Sequence, residues 1–97
     1  MTAIRTLWVV CPVYFDVDSF LTLKEKIADE FTRLDFDAPG RLRLVAIDDS
    51  GGEDPEMARL DGLPLVTVLP TPFNLGHQAA LVFGLRRLSS EMDAEDW

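Results

Sequence analysis

Apolar positions alternate along the chain between short unbroken runs and longer periodic ones. "LWVVCPV", from Leu7, is continuous and ends around a proline, as expected of a strand buried on both faces. From Ser19 to Leu34, residues Phe20, Leu23, Ile27, Phe31 and Leu34 recur at steps of three or four. That spacing predicts one face of a helix, with Asp18 or Ser19 capping its start. "FDAPGR" breaks the pattern with proline and glycine. "LRLVAI", from Leu42, is the second predicted strand, and Asp48 and Asp49 follow at its end. "EDPEMARL" is a short helix candidate with Pro55 in its first turn. "PLVTVL", from Pro64, is the third strand, and "PTPFNLG" is a loop. From His77, residues Leu81, Gly84, Leu85 and Leu88 share a helical face, with Arg86 and Arg87 in the last turn, where they suit the helix dipole.

The order β-α-β-α-β-α predicts an α/β fold, a Rossmann-like three-layer α/β/α arrangement around a short parallel sheet. Right-handed crossovers give the strand order 3-2-1. In such sheets ligands bind beyond the carboxyl ends of the strands. Three loops reach that edge: "CPVYFD", "DDSGG" and "TPFNLGH".

Length and charge narrow the function classes. The 97 residues are read as one domain, 1–97. A net charge of −8 argues against nucleic acid and against an anionic membrane surface, since both are bound chiefly by Lys and Arg. No apolar run has the length of a membrane-spanning helix, and the N-terminus carries no small-residue cleavage site. Cys11 is the single cysteine and has no partner for an internal disulfide, which fits a reducing, cytoplasmic setting. Neither "GxxxxGK[ST]" nor "GxGxxG" is present, and no Cys/His cluster indicates zinc.

Each loop at the sheet edge has a chemical reading and a plainer one. Asp48 and Asp49 are neighbours on an extended chain and point to opposite sides. One can accept a hydrogen bond from a base or a ribose while the other fixes the loop; alternatively Asp49 and Ser50 cap the next helix. Ser50, Gly51 and Gly52 allow a tight turn. Tyr14 offers an aromatic face and Asp16 an acceptor, or both belong to a helix entry. Asn74 and Gly76 suit a left-handed turn before a helix whose free N–H groups favour an anion, with His77 and Gln78 as donors. The plainer reading makes His77 a cap or surface residue. A Cys11–His77 dyad is disfavoured, because Cys11 continues a buried apolar run.

"VVCPVYFD", "LVAIDDSGGED" and "PFNLGHQAAL…GL", in this order, resemble the N-terminal half of a family 2 glycosyltransferase with the GT-A fold. The resemblance is to the polyprenyl-phosphate branch, similar to dolichol-phosphate mannosyltransferases. That family shows P-x-Y-N/E near the first strand, D-D-G-S after the second and N-x-G after the third. The resemblance implies an inverting transferase using a UDP- or GDP-sugar and a divalent metal, Mg or Mn. It implies that Pro12, Val13, Tyr14 and Asp16 hold the base, that Asp48 and Asp49 contact base and ribose, and that Asn74 to Gly76, with His77 beyond, border the nucleotide cleft.

The family's D-x-D metal motif ends its fourth strand, which would begin here near Trp97, and its general base lies further on. The expectation is therefore a nucleotide-sugar-binding subdomain, truncated before the fourth strand and inactive as given, with no catalytic residue and no metal ligand of its own. "DAED" at Asp93 follows nothing strand-like and is not read as the metal site. Asp16 stands where the family has Asn or Glu, and "DDSGG" replaces "DDGS", which leaves the sugar open. Without a fourth strand, "LWVVC" would form a hydrophobic sheet edge, so a homo-oligomer joined through strand one is expected. Two rival readings are an interaction module that kept the fold without the chemistry, and a receiver-like signalling domain suggested by "IDDS". The receiver reading fits poorly, because its acidic pair follows the first strand rather than the second.

Overall fold

The computed structural model describes residues 6–33 and 42–92. Leu34, the "FDAPGR" break and the "DAED" segment lie outside the described residues. Strands β1 (Leu7–Val13), β2 (Leu42–Asp48) and β3 (Val66–Pro70) form a parallel sheet in the order β1-β2-β3. Register runs from Leu7 opposite Leu42 to Val13 opposite Asp48, and from Leu44 opposite Val66 to Asp48 opposite Pro70. The α/β class, the parallel pairing and the strand order therefore stand as expected.

Helix α1 (Val17–Arg33) and a 3-10 helix (Pro55–Leu60) cover one face of the sheet, and α2 (His77–Leu88) covers the other. The central strand shows why its sequence is an unbroken apolar run. Leu42, Leu44 and Ala46 enter the core beneath α1, with Phe20, Phe31, Met57 and Leu60. Val45 and Ile47 enter the core beneath α2, with Ala80 and Leu88. Alternate side chains of a strand point to opposite faces, so a strand covered on both sides has no polar position to spare. Arg43 is the exception, exposed at the start of β2.

β1 lies at one edge, yet Leu7 to Pro12 are half-buried rather than exposed, because both helices reach over it. Val13 accepts a hydrogen bond on its carbonyl from the Asp49 N–H at 2.9 Å. Pro12, one residue earlier, thus turns its nitrogen away from β2, where a missing N–H interrupts no ladder.

The helices differ from expectation in detail. α1 starts at Val17 rather than Ser19, and its buried stripe is Val17, Phe20 and Phe31, flanked by Leu21, Ile27 and Ala28. Leu23 lies off this stripe and is exposed. On α2 the buried stripe is Ala80, Gly84 and Leu88, whereas Leu81 and Leu85 are exposed. The short helix is of the 3-10 type: Asp54 caps it by accepting from the Glu56 N–H at 2.9 Å, and Pro55 occupies its first position. β3 begins at Val66, after Leu65 adopts a positive φ of 71°.

Candidate functional site at the carboxyl edge of the sheet

Because the strands are parallel, the loops after β1, β2 and β3 leave from one edge. The loop after β2 is built by its own acids. Asp48 Oδ1 accepts from the Ser50 N–H at 3.0 Å and from the Ser50 hydroxyl at 2.6 Å. Ser50 Oγ in turn accepts from the Asp54 N–H at 3.1 Å. Gly51 and Gly52 take positive φ angles of 68° and 86°, which glycine alone adopts without strain. Gly51 also needs to be small: a Cβ there would lie 3.1 Å from the Phe73 Cα.

Asp49 points the other way and is 1% exposed. Its Oδ1 accepts from the Leu75 N–H at 2.8 Å, and its Oδ2 from the Gly76 N–H at 3.0 Å. The Thr71 hydroxyl, 3.3 Å from Asp49 Oδ1, is closer to the Phe73 carbonyl at 2.7 Å and has one proton to give. The carboxylate thus ties the loop after β3 to the end of β2. The adjacent acids do point to opposite sides, and both spend hydrogen bonds on the loops themselves.

The loop after β1 is shaped by Asp16, whose Oδ1 accepts from the Tyr14 N–H at 2.8 Å. Phe15 between them holds a positive φ of 55°, and the Tyr14 and Phe15 rings meet edge to face with centroids 4.9 Å apart. Both rings are largely exposed, while Val13 is buried. Asp16 supplies the carbonyl that accepts the first helical N–H, from Phe20 at 3.2 Å.

Across the edge, α2 opens without a side-chain cap. Asn74 Oδ1 accepts from the Gly76 N–H at 3.0 Å, and Gly76, at φ 85°, turns the chain into the helix. A groove of about 400 Å³ lies between the two elements, lined by Pro12, Asp16, His77, Gln78 and Leu81. Of the residues expected at a nucleotide site, Pro12, Asp16 and His77 therefore meet in one groove. The other expected residues do not line it: Val13 packs in the core beneath α1, on the opposite face of the sheet, Asp48 holds Ser50 in the loop after β2, Asp49 holds Leu75 and Gly76 where the chain enters α2, Asn74 bonds Gly76 at that same turn, and Tyr14 is exposed on the loop after β1. Leu81 was not anticipated in this place, and the 3.6-residue period from His77 is the signal that leads to it.

Cys11 packs in the core beneath α1, on the opposite face of the sheet from α2 and His77. Burial, and secondarily the charge of Asp16, push its thiol above the usual range. Thiolate is the reactive form, so alkylation by iodoacetamide near about pH 8 should run severalfold slower than for free cysteine and should accelerate at higher pH. A rate equal to that of free cysteine would show an open, ordinary thiol.

Among the described residues, no group of three or more His, Cys, Asp or Glu side chains is placed to hold a metal ion. The donors among the described residues do not fit a divalent cation. No helix of the described residues is long and apolar enough to cross a membrane. No protein-family model matches the chain, and no curated protein and no solved structure matches it.

Proposed function

We propose that this chain is the nucleotide-diphospho-sugar-binding region of a family 2-like glycosyltransferase, binding a UDP- or GDP-sugar without transferring it by its own residues. The observation that carries the reading is the uncapped start of α2 facing the groove beside β1. Free N–H groups at a helix start, with the positive end of its dipole, favour a diphosphate. His77 and Gln78 add donors on one wall. Asp16 on the other wall is suited to ribose hydroxyls rather than to phosphate, because a carboxylate only accepts. Asp48 and Asp49 act in this reading by holding the loops that frame the groove. A divalent ion, if it accompanies the ligand, takes its donors from outside the described residues.

A second reading, a non-catalytic interaction module, is favoured by one observation. Leu81, Val82 and Leu85 leave an apolar strip on α2 next to the groove. Calorimetric titration with UDP and GDP separates the two. Nucleotide binding predicts saturable heat with either ligand, weakened about tenfold or more in His77→Ala, the effect of losing one charge-assisted hydrogen bond. No heat with either nucleotide, together with a stable dimer by light scattering, would replace the first reading by the second.

A further inference from the structure

Leu23, Leu81 and Leu85 are exposed on the helices, and all three lie on the β1 side of the molecule. On α2, Leu81 lines the groove with Pro12, which places it on the β1 flank, and Leu85 follows one turn later on that flank. On α1, Asp18 meets Arg59 of the 3-10 helix at 2.8 Å, and the 3-10 helix packs beside β3. Leu23 falls on the opposite side of the buried stripe from Asp18, hence on the flank away from β3. Between the two leucine flanks runs β1, whose outer edge pairs with no strand among the described residues. The Val13 carbonyl bonds to Asp49 across the sheet, so by alternation Val10 turns its N–H and carbonyl outward. Leucines exposed singly need no account, but three that border one apolar strand edge do.

We propose that this edge is the contact between two copies of the chain, related by a twofold axis perpendicular to the sheet near Val10. Charge favours a second copy. At a net charge of −8 two copies repel over most of their surface, whereas β1 contains no charged residue and opposes none when paired with itself. The axis sets β1 antiparallel to its copy and keeps α1 beside α1 and α2 beside α2. Val10 then exchanges two hydrogen bonds with its copy, and Pro12 withholds one N–H at each end of the pair. Leu23 covers its copy on one face of the sheet, and Leu81 and Leu85 cover theirs on the other. A Cβ at Gly84 would meet both Ile47 and Val10, so α2 sits over β1 and β2. Strands paired about 4.8 Å apart therefore bring the two α2 helices to about 10 Å, the spacing of packed helices. β1 has seven residues and is about 23 Å long; helix flanks make the face about 20 Å wide, a footprint of roughly 460 Å² on each copy. Side-chain relief raises that toward about 600 Å² a side, where specific interfaces begin.

The contact rests on neither reading of the groove, and nucleotide titration reads the groove separately. Leu81 belongs to both surfaces, so the variants are placed at Leu23 and Leu85. Light scattering of the full chain over a dilution series should show twice the chain mass at high concentration. Leu23→Glu and Leu85→Glu should each weaken association about tenfold or more, since each buries a carboxylate in the contact. Phe73→Ser, on the exposed loop after β3, should leave it unchanged. Raising salt from about 50 mM to about 500 mM should strengthen the dimer by screening the repulsion of like-charged copies. A monomer at every concentration, a dimer indifferent to both leucine variants, or a dimer weakened by salt would overturn the contact. The salt response needs no variant, so it decides even where a substitution does not fold.

Discussion

Asp49→Ala is expected to destabilise the fold by about 3 kcal/mol, more than any other change at the carboxyl edge. Two hydrogen bonds to a buried carboxylate are lost, from the Leu75 and Gly76 N–H groups. Each bond to a charged group is worth roughly 1.5–3 kcal/mol. The Gly76 N–H retains Asn74 Oδ1, so the full sum is not forfeited. For a chain of this length the loss corresponds to a fall in melting temperature of roughly 10–25 °C. Asp49→Asn should fall between, keeping an acceptor for Leu75 while setting an N–H₂ against the Gly76 N–H. Thermal and urea unfolding of both variants measure this. A purely ligand-facing Asp49 would leave the midpoint unchanged, and that result would return the residue to the groove. The proposed nucleotide site should also suffer in Asp49→Ala, but indirectly, because the loop leading into α2 is no longer held.

That contrast marks where the sequence was informative. Two acids closing an apolar run mark the end of β2 as a polar edge, but the run itself does not mark the central strand, since LWVVCPV is unbroken and forms the edge strand β1. Parallel order follows from the alternation with helices. Whether the acids face a ligand or the protein does not follow, because the partners of Asp49 lie 26 and 27 residues further along. The cap of the short helix was placed too early: the alternative reading offers Asp49 and Ser50, whereas Asp54, directly before Pro55, takes that position.

The helix faces hold at Phe20, Ile27, Phe31, Gly84 and Leu88 and fail at three leucines, for a related reason. Counting apolar residues selects Leu23 on α1 and Leu81 and Leu85 on α2, yet all three are exposed. At 100° per residue, Leu23 lies roughly 75° from the middle of the stripe made by Val17, Phe20, Ile27 and Phe31. On α2 the contact is made by small residues, Ala80 and Gly84, with Leu88. Small residues let the helix approach the sheet closely and leave the bulkier leucines at the flank. Hydrophobicity ranks leucine above glycine, so a pattern based on it points the helix the wrong way by about a quarter turn or less.

The closeness of that approach gives the second large expected effect. A Cβ at Gly84 would collide with Ile47 Cδ1, come within 2.8 Å of Ile47 Cγ1 and lie 3.7 Å from Val10 Cγ1. Gly84→Ala should therefore destabilise by about 2 kcal/mol: overpacking at up to roughly 3 kcal/mol, offset by about 1 kcal/mol of helix propensity. Ile47→Ala alone should cost about 3 kcal/mol through the cavity it leaves. In the double variant the alanine methyl at 84 enters the space vacated at 47. The pair should then be less harmful than the sum of the singles by about 2 kcal/mol, the signature of direct contact. Urea unfolding of the two singles and the double closes the cycle. Additivity within about 0.5 kcal/mol would mean that α2 does not rest on β2 at this point, and the groove beside it would lose the wall that positions His77.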